Sequence, residues 1–479
     1  MLDQIEAKLE GLVRADVWAA GIKKRGEAVR IYREYMDGKH KSGLTAKMQE
    51  IMRMSGDELE QINNNYCPLV VAAKADRLAV QSIQATGDAA EAANQWADGI
   101  LRSNRYDGLQ MAVHEAVLVD GDTFVFVDWD NERDMVRLSH ERAFDGHTGM
   151  MVVYDRMGAT IVAAIKVWYE PALGDRRRVN IYRAGGIERY VAATGGSLEP
   201  YTGEDGTEES VANWEVGRVP IAHFRNGSRL TDGGRTGQSE LAAVKPLQDA
   251  LNRTLYSVVA MAENTAFQKL VAKGFEPPDT IAPGDVIVIA RDEDGKKVPL
   301  LADDVADMYA LPQGNIDQVL EHAQDLRREI GVVSRTPLPS AMGGSNQSGE
   351  ALKQREVDLL AALRRLEVVL GNAWEDVMWI AGAVHDTYSG NKAPQVRDWF
   401  TRWQDAEVRN DKETIENALA VRELVGLRET LRLIAPVYDW DADKIEELVA
   451  GSEAAERERL ADAFGGLRGF NPGSRRQIA

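Results

Sequence analysis

The stretch QSELAAVKPLQDALNRTLYSVVAMAENTAFQKLVAK, Gln238 to Lys273, decides how this chain is organised. Leu241, Val244, Leu247, Leu251, Leu255, Val258, Ala262, Ala266 and Leu270 recur at steps of three and four. That spacing sets them on one stripe of a helix. Pro246 is the only breaker. It reads as the first residue of the straight part, where its missing N–H costs little. From there to Lys273 the pattern predicts a helix of about 28 residues, roughly 42 Å at 1.5 Å per residue, longer than most globular helices. The other face carries Lys245, Asp249, Arg253, Glu263, Lys269 and Lys273. Ala260, Ala262 and Ala266 thin the stripe and let neighbours approach closely. Such a helix needs several partners, from the same chain or from symmetry copies.

The surrounding chain bounds the answer. Its 479 residues are enough for two to four domains. No run of 18 apolar residues predicts a membrane span, and MLDQIEAKLEGLV at the start has acids where a signal peptide has an apolar core. The single cysteine, Cys67, excludes an internal disulfide and a cysteine-cluster metal site. A net charge of −19, from 57 basic and 76 acidic residues, argues against a tight phosphate-clamping nucleic-acid binder. It does not argue against a protein that lets DNA slide past.

Upstream, residues 1–60 read helical, with one stripe of Leu2, Ile5, Leu9 and Leu12 and another of Ala28, Ile31, Tyr32 and Tyr35, broken by a polar loop from Met36 to Gly43. Pro68 marks a helix start, with Val71, Ala75, Leu78 and Ile83 inward. Ala89–Leu101 and Tyr106–Leu118 read as two more helices. The period changes at Gly121: Thr123–Trp129 and Met135–Ser139 form a hairpin about the turn Asp130–Arg133. Strands are expected at Met150–Asp155, Thr160–Tyr169, Arg178–Arg183, Arg189–Ala192 and Ile221–Asn226. Thr194–Asn213 reads as an exposed, mobile excursion, and Leu230–Gly237 as a Gly-rich joint. Downstream, Asp285–Ala290 and Lys297–Leu301 flank a turn at Asp292–Gly295. Asn315–Gly331 is helical, Val332–Gln347 is a Pro/Gly loop, and a very long helix runs from Ser348 to Asp386. The tail from Gln404 is helical, broken at Gly426, Pro436 and Gly451, and ends in the Gly/Arg-rich strip Gly465–Arg476. The fold class is α+β.

Motifs for chemistry fail on inspection. Gly344–Gly349 has P-loop spacing, but Glu350-Ala351 stands where Lys and Ser/Thr are needed, so a carboxylate would repel the phosphates. His114-Glu115 starts a zinc motif whose second histidine position is Leu118, and the other histidines are scattered. Asp128, Asp130 and Glu132 imitate a calcium loop but lack its glycine, which leaves a hairpin turn. Asp120 and Asp122 flank Gly121; turn chemistry is the bland reading and an acid/base pair the sharp one. No catalytic residue, cofactor or metal is expected.

The order of parts says more. Long helix, small β insert, short helix, Pro/Gly loop, very long helix and helical tail follow one another as in the portal proteins of tailed double-stranded DNA bacteriophages. The chain resembles the SPP1-type portal family at Tyr32-REYMDGKH-His40, Asn63–Gln84, Gly237–Leu255 and Ser348–Glu356. The resemblance spans nearly the full length, and its pieces are specific together rather than singly. It implies a portal fold with long stem helices, a β-containing clip insert, an α/β wing and a helical crown. Residues 1–235 would be the N-terminal part of the wing, 236–274 the first stem helix, 275–314 the clip, 315–331 the second stem helix, 332–347 the tunnel loop, 348–403 the long wing helix and 404–479 the crown.

The resemblance further implies a homo-oligomeric ring, most often of twelve subunits, at one capsid vertex. Double-stranded DNA would enter and leave through it without sequence specificity. Arg335, Ser340, Ser345, Asn346 and Gln347 would face DNA from the tunnel loop, and Lys245, Arg253, Lys269 and Lys273 would mark the stem. Asp292, Asp294, Lys296 and Lys297 would form the clip surface. Implied partners are the terminase large subunit, a head-completion or adaptor protein, and capsid and scaffolding proteins, with no membrane. Alternatives are another head–tail connector or capsid protein, or a packaging ATPase, which Glu350-Ala351 disfavours.

Overall fold

The computed structural model describes residues 2–40, 64–87, 89–143, 145–155, 160–170, 176–192, 196–203, 207, 209–227, 236–266, 270–273, 307–310, 316–337, 349–396, 398–406, 411–438, 440, 444–452 and 454–455. The chain divides into two units, Met1–Ala406 and Glu407–Ala479.

The first unit begins with helix α1, Leu2–Met36. Small side chains on one face, Ala15 and Ala19, with Ile22, let it lie close on a sheet; Ala28, expected inward, is exposed. Helix α2, Cys67–Ala75, starts at Pro68 as expected, and the Cys67 N–H donates to Asn65 Oδ1 at 3.1 Å. The helix stops at Ala75. Ile83 faces the core from strand β1, Val80–Ala85, rather than from a helix. The VQSIQA stretch alternates, and tertiary pairing overrides the helical reading.

Helices α3, Ala90–Ser103, and α4, Tyr106–Asp120, follow. Gly121 closes α4 at φ 85°, with its N–H on Val117 O at 2.9 Å, a left-handed cap that glycine adopts without strain. Strands β2, Asp122–Asp130, and β3, Met135–Arg142, form the expected hairpin. Asp130 Oδ1 accepts from the N–H groups of Glu132 and Arg133 at 3.0 and 3.1 Å, so the calcium-like acids are turn residues.

Strands β4 (Thr148–Tyr154), β5 (Ile161–Glu170), β6 (Arg176–Arg183) and β7 (Gly186–Ala192) make an antiparallel meander. The 194–213 region is not wholly a loose excursion. Short strands β8, Glu199–Pro200, and β9, Val211–Asn213, pair with β7, Leu198 is buried, and the Arg178 guanidinium lies 3.7 Å from the Tyr201 ring centroid. Strand β10, Ile221–Arg225, joins β2 to give a second sheet in the order β10-β2-β3. Ala15, Ala19 and Ile22 of α1 cluster with Ile165, Val167, Val179 and Ile181 of the larger sheet.

The long middle helix, α5, spans Leu241–Ala266. Its start precedes Pro246, which sits inside the helix. Ser239 initiates it instead, its Oγ accepting from Leu241 N–H at 3.1 Å and its carbonyl from Ala242 N–H at 3.1 Å. The helix ends before Leu270. Leu270–Lys273 is strand β11, paired antiparallel with β12, Asp307–Ala310. Leu241, Val244 and Leu251 are buried as the stripe requires, while Ala262 is exposed. The hairpin expected at Asp285–Leu301 lies outside the described residues.

Helix α6 runs Ile316–Ser334, three residues into the expected tunnel loop. Helix α7 runs Gly349–Tyr388, 40 residues, about 60 Å. Leu359, Leu363, Leu366, Leu370, Trp374, Val377, Ala381 and Val384 form its fully packed stripe. The segment to 403 is not all helix. Strand β13, Trp399–Trp403, pairs with β1. One core joins α2 to α7, β1 to β3, β10 and β13, and Ala323, Leu326 and Ile330 of α6 enter it beside Leu241, Val244 and Leu251 of α5.

At its centre Trp374 Nε1 donates to His114 Nε2 at 3.0 Å, and His114 Nδ1 lies 2.7 Å from Leu78 O. This fixes a neutral imidazole, and burial holds its pKa down at about 4. His114 is therefore a core residue. Among the described residues no three His, Cys, Asp or Glu side chains form a metal-binding group, and no helix is long and apolar enough to cross a membrane.

In the second unit, α8, Asp411–Ala420, precedes α9, Arg422–Tyr438. Gly426 breaks α9 at φ 82° and ψ 168°, as expected, but the helix runs through Pro436. Ala435, Ile445 and Val449 form a small core.

Candidate functional site at the root of the stem

The Gly-rich joint brings two backbones into contact. Gly237 crosses Gly121 so closely that a Cβ on Gly237 would stand 1.9 Å from Gly121 O and 2.8 Å from Asn226 N. The crossing is sealed by hydrogen bonds from Asn226 N–H to Gly121 O, Gln238 N–H to Asn226 O and Glu240 N–H to Leu118 O, all 2.9 Å. Only glycine permits this approach.

The two aspartates beside Gly121 secure the crossing. Asp122 Oδ1 accepts from Gly237 N–H at 2.5 Å, and Oδ2 from Arg25 at 2.5 Å. Arg25 also donates to Asp120 O at 3.0 Å and Gly237 O at 3.2 Å. Asp120, fully buried, accepts from Arg33 at 2.9 and 2.7 Å and from Arg142 at 3.1 Å. Burial works to raise the Asp122 pKa, but the His223 hydrogen bond and Arg25 outweigh it and hold the carboxyl below its usual value. His223, buried against the β sheet, is kept neutral by desolvation. Its Nδ1 accepts from Tyr154 Oη at 2.8 Å. Neither aspartate is an acid/base pair open to substrate; both are structural counter-ions.

Glu240 completes the root. It pairs with the buried Lys74 and accepts from Asn226 Nδ2 at 2.8 Å. Next along α5, Gln248 and Asn252 are buried and bonded to the backbone of Asn64 and Tyr66. Asn252 also bonds His40 at 2.7 Å. The long helix is thus anchored by polar contacts that a purely apolar stripe does not announce.

Beside this root lies a cleft of about 260 Å³. The end of α6 supplies Ser334 and Arg335, α7 supplies Arg365 and Leu366, and the joint supplies Gly227, Gln238 and Glu240.

The sequence profile of the family described as phage portal protein, SPP1 Gp6-like, matches residues 30–458. The chain belongs to that family.

Two solved structures are similar to this portal chain. One is titled neck of empty GTA particle computed with C6 symmetry: 14% identity, 82% of this chain, 94% of that chain, TM-score 0.41. The other is titled virion of native gene transfer agent (GTA) particle: 14% identity, 79% of this chain, 92% of that chain, TM-score 0.43. No curated protein matches the chain.

The expected site residues of the portal chain fall unevenly. Arg335 sits at the cleft with φ 55°. Ser340, Ser345, Asn346 and Gln347 lie outside the described residues, as do Lys269, Asp292, Asp294, Lys296 and Lys297 and the P-loop-like Gly344–Ser348. Lys245 is not a free cation: it pairs with Asp249 at 2.9 Å and lies 5.0 Å from the Tyr35 ring centroid. Arg253 is exposed on α5. Lys273 lies on strand β11 opposite Asp307, not on the helix. Sequence reasoning missed Arg365, Glu240 and Arg25. Lys74 was the available signal, a lysine inside the apolar run CPLVVAAKADRLAV, where a charge needs a buried partner.

Proposed function

We propose that this portal protein forms a ring-shaped channel at one capsid vertex, through which double-stranded DNA is packaged and later ejected, and which docks terminase and head-completion proteins. The observation that carries this reading is the pair α5 and α6. They pack against each other, and both have their feet in the wing core, where the Gly121–Gly237 crossing fixes the root. Force on a moving duplex is then borne by packed core and buried ion pairs.

Charge supports the same reading. Asp317, Glu321, Asp325 and Glu329 recur every fourth residue on the exposed side of α6. A duplex carries a charge about every 1.7 Å of axis, and each clamped phosphate adds affinity and drag. An acidic helix beside the path favours passage over grip. The tunnel segment leaves from Arg335, with neutral Ser340, Ser345, Asn346 and Gln347 after it. The protein works without catalysis of its own, its ring most often twelvefold, with the 275–314 insert as docking clip and 404–479 as crown.

Electron microscopy of the purified chain in end-on view tests this. Rings of about twelve subunits, with a lumen of roughly 20 Å or more for a duplex, are expected from closed cyclic assembly. Closed shells, plugs without a lumen, or monomers at high concentration would overturn it in favour of another connector or capsid role.

A further inference from the structure

Arg335 and Arg365 face one cleft from two different helices, and neither forms an ion pair among the described residues. In this chain that is unusual. With 76 acidic and 57 basic residues, cations find carboxylates readily. Around the same root Arg25, Arg33, Arg142 and Lys74 each do so, and Arg77 pairs with Glu356. The lysine lining the cleft is already neutralised by Glu240, so the unmatched charge there belongs to the two arginines.

The backbone beneath Arg335 adds a second observation. Arg335 ends α6 in the left-handed region, at φ 55°. Its N–H donates to Val332 O at 3.1 Å, and the Thr336 N–H to Gly331 O at 2.9 Å. Thr336 and Ser334 on either side are buried. This is a helix C-cap at which glycine is usual, because any side chain there strains the backbone. A non-glycine held in that conformation by its surroundings marks a side chain wanted at that point. Across the cleft Arg365 lies against the turn after β10, its Nη2 3.9 Å from where a Gly227 Cβ would stand.

We infer that Arg335 and Arg365 form a paired oxyanion site that takes one backbone phosphate of duplex DNA. This rests on the channel reading above and names the contact made at the tunnel segment's root. Planar guanidinium groups present several N–H donors to phosphate oxygens, and two on opposed walls hold one phosphate without reading its base. One such contact per subunit gives a duplex a place to rest between steps, while the acids of α6 keep the rest of the path weakly binding.

Arginine-specific modification by phenylglyoxal, read by mass spectrometry on the assembled full chain, tests the pairing residue by residue. Inorganic phosphate and a duplex oligonucleotide are each expected to protect Arg335 and Arg365 together. The exposed neighbour Arg364 stays reactive. Arg365→Ala raises the phosphate concentration that protects Arg335 about tenfold, and either single alanine lowers the salt dependence of duplex binding by about one unit of slope.

Arg335 protection unchanged in Arg365→Ala overturns the pairing. Protection by phosphate but not by duplex overturns DNA as the occupant. Protection that appears on assembly, with no phosphate present, assigns the site to an acid of a second copy and overturns the proposal. Rings of Arg335→Ala/Arg365→Ala are imaged in parallel. Intact open rings with failed protection sink the anion site alone, whereas absence of an open ring in the wild-type protein sinks the channel reading.

Discussion

Gly237→Ala is the sharpest perturbation of the stem root. The new methyl would stand 1.9 Å from Gly121 O and 2.8 Å from both Asn226 N and the Gly121 carbonyl carbon. All three are backbone atoms, so no side-chain rotation relieves the clash. Overpacking costs typically ~1–3 kcal/mol. Separating the strands also weakens the bonds from Asn226 N–H to Gly121 O and from Gln238 N–H to Asn226 O, and the Gly237 N–H bond to Asp122, each worth about 1 kcal/mol. The total expected is about 3–5 kcal/mol. Urea unfolding followed by tryptophan fluorescence, with Trp374 buried in the same core, reads it directly. Gly99→Ala is the control. That helical glycine has nothing within 4 Å of its would-be Cβ, so alanine there stabilises by roughly 0.5–1 kcal/mol. A Gly237→Ala protein within about 0.5 kcal/mol of wild type, by the surface-substitution yardstick, would refute the claim that the crossing fixes the stem.

Further expectations concern the same core and the channel. His114 has a folded pKa near 4, below its unfolded value of 6.5, chiefly from burial. The neutral form is therefore favoured by folding. Its contribution is complete above about pH 6.5 and is lost as pH falls toward 4, by at most about 3 kcal/mol. His114→Gln should flatten the pH dependence of unfolding over that window, and an unchanged slope would contradict the assignment. Arg25→Ala should cost about 3–5 kcal/mol by leaving the buried Asp122 under-compensated; limited proteolysis releasing α1 first is the readout, and Arg25→Lys should recover only part. Deleting Ser340–Gln347 should leave rings intact in electron microscopy but impair DNA packaging, and loss of assembly would remove that segment's assignment as the tunnel loop. Purified rings should show no ATP turnover in a phosphate-release assay, and turnover abolished by a point substitution would contradict a channel without catalysis.

The elements with strong periodicity were legible in the sequence. The hairpin Asp122–Arg142, the meander from β4 to β7 and the stripe of α7 follow their patterns closely. The ends of α5 were not. Pro246 argued for a later start, yet Ser239 supplies a cap earlier, and Leu270 fits a helical stripe as well as it fits strand β11. A short apolar run carries both periods, and pairing with Asp307–Ala310 decides between them. Strand β13 was hidden for the same reason, because its partner β1 lies far away in the sequence. At the site, Arg335 was visible as a lone base in a Pro/Gly segment. Arg365 was not, since on a helix rich in charge only tertiary placement separates an arginine in solvent from one in a cleft.

The pairing of β1 with β13 sets the order of events during synthesis. Ile83 lies beside Thr401, and between them come both sheets, α5, α6 and all of α7. A ribosome delivers the N-terminal wing long before the strand that closes it. Until Trp399–Trp403 emerges, β1 has an open edge, and His114 stands without Trp374, its partner on α7. Long-range closure of this kind is slow and leaves apolar surface exposed meanwhile. The wing therefore closes only after nearly the whole chain has been made, so a nascent chain cut short before residue 399 offers a neighbouring subunit an unfinished surface. Completion of the polypeptide becomes a checkpoint for entry into the ring.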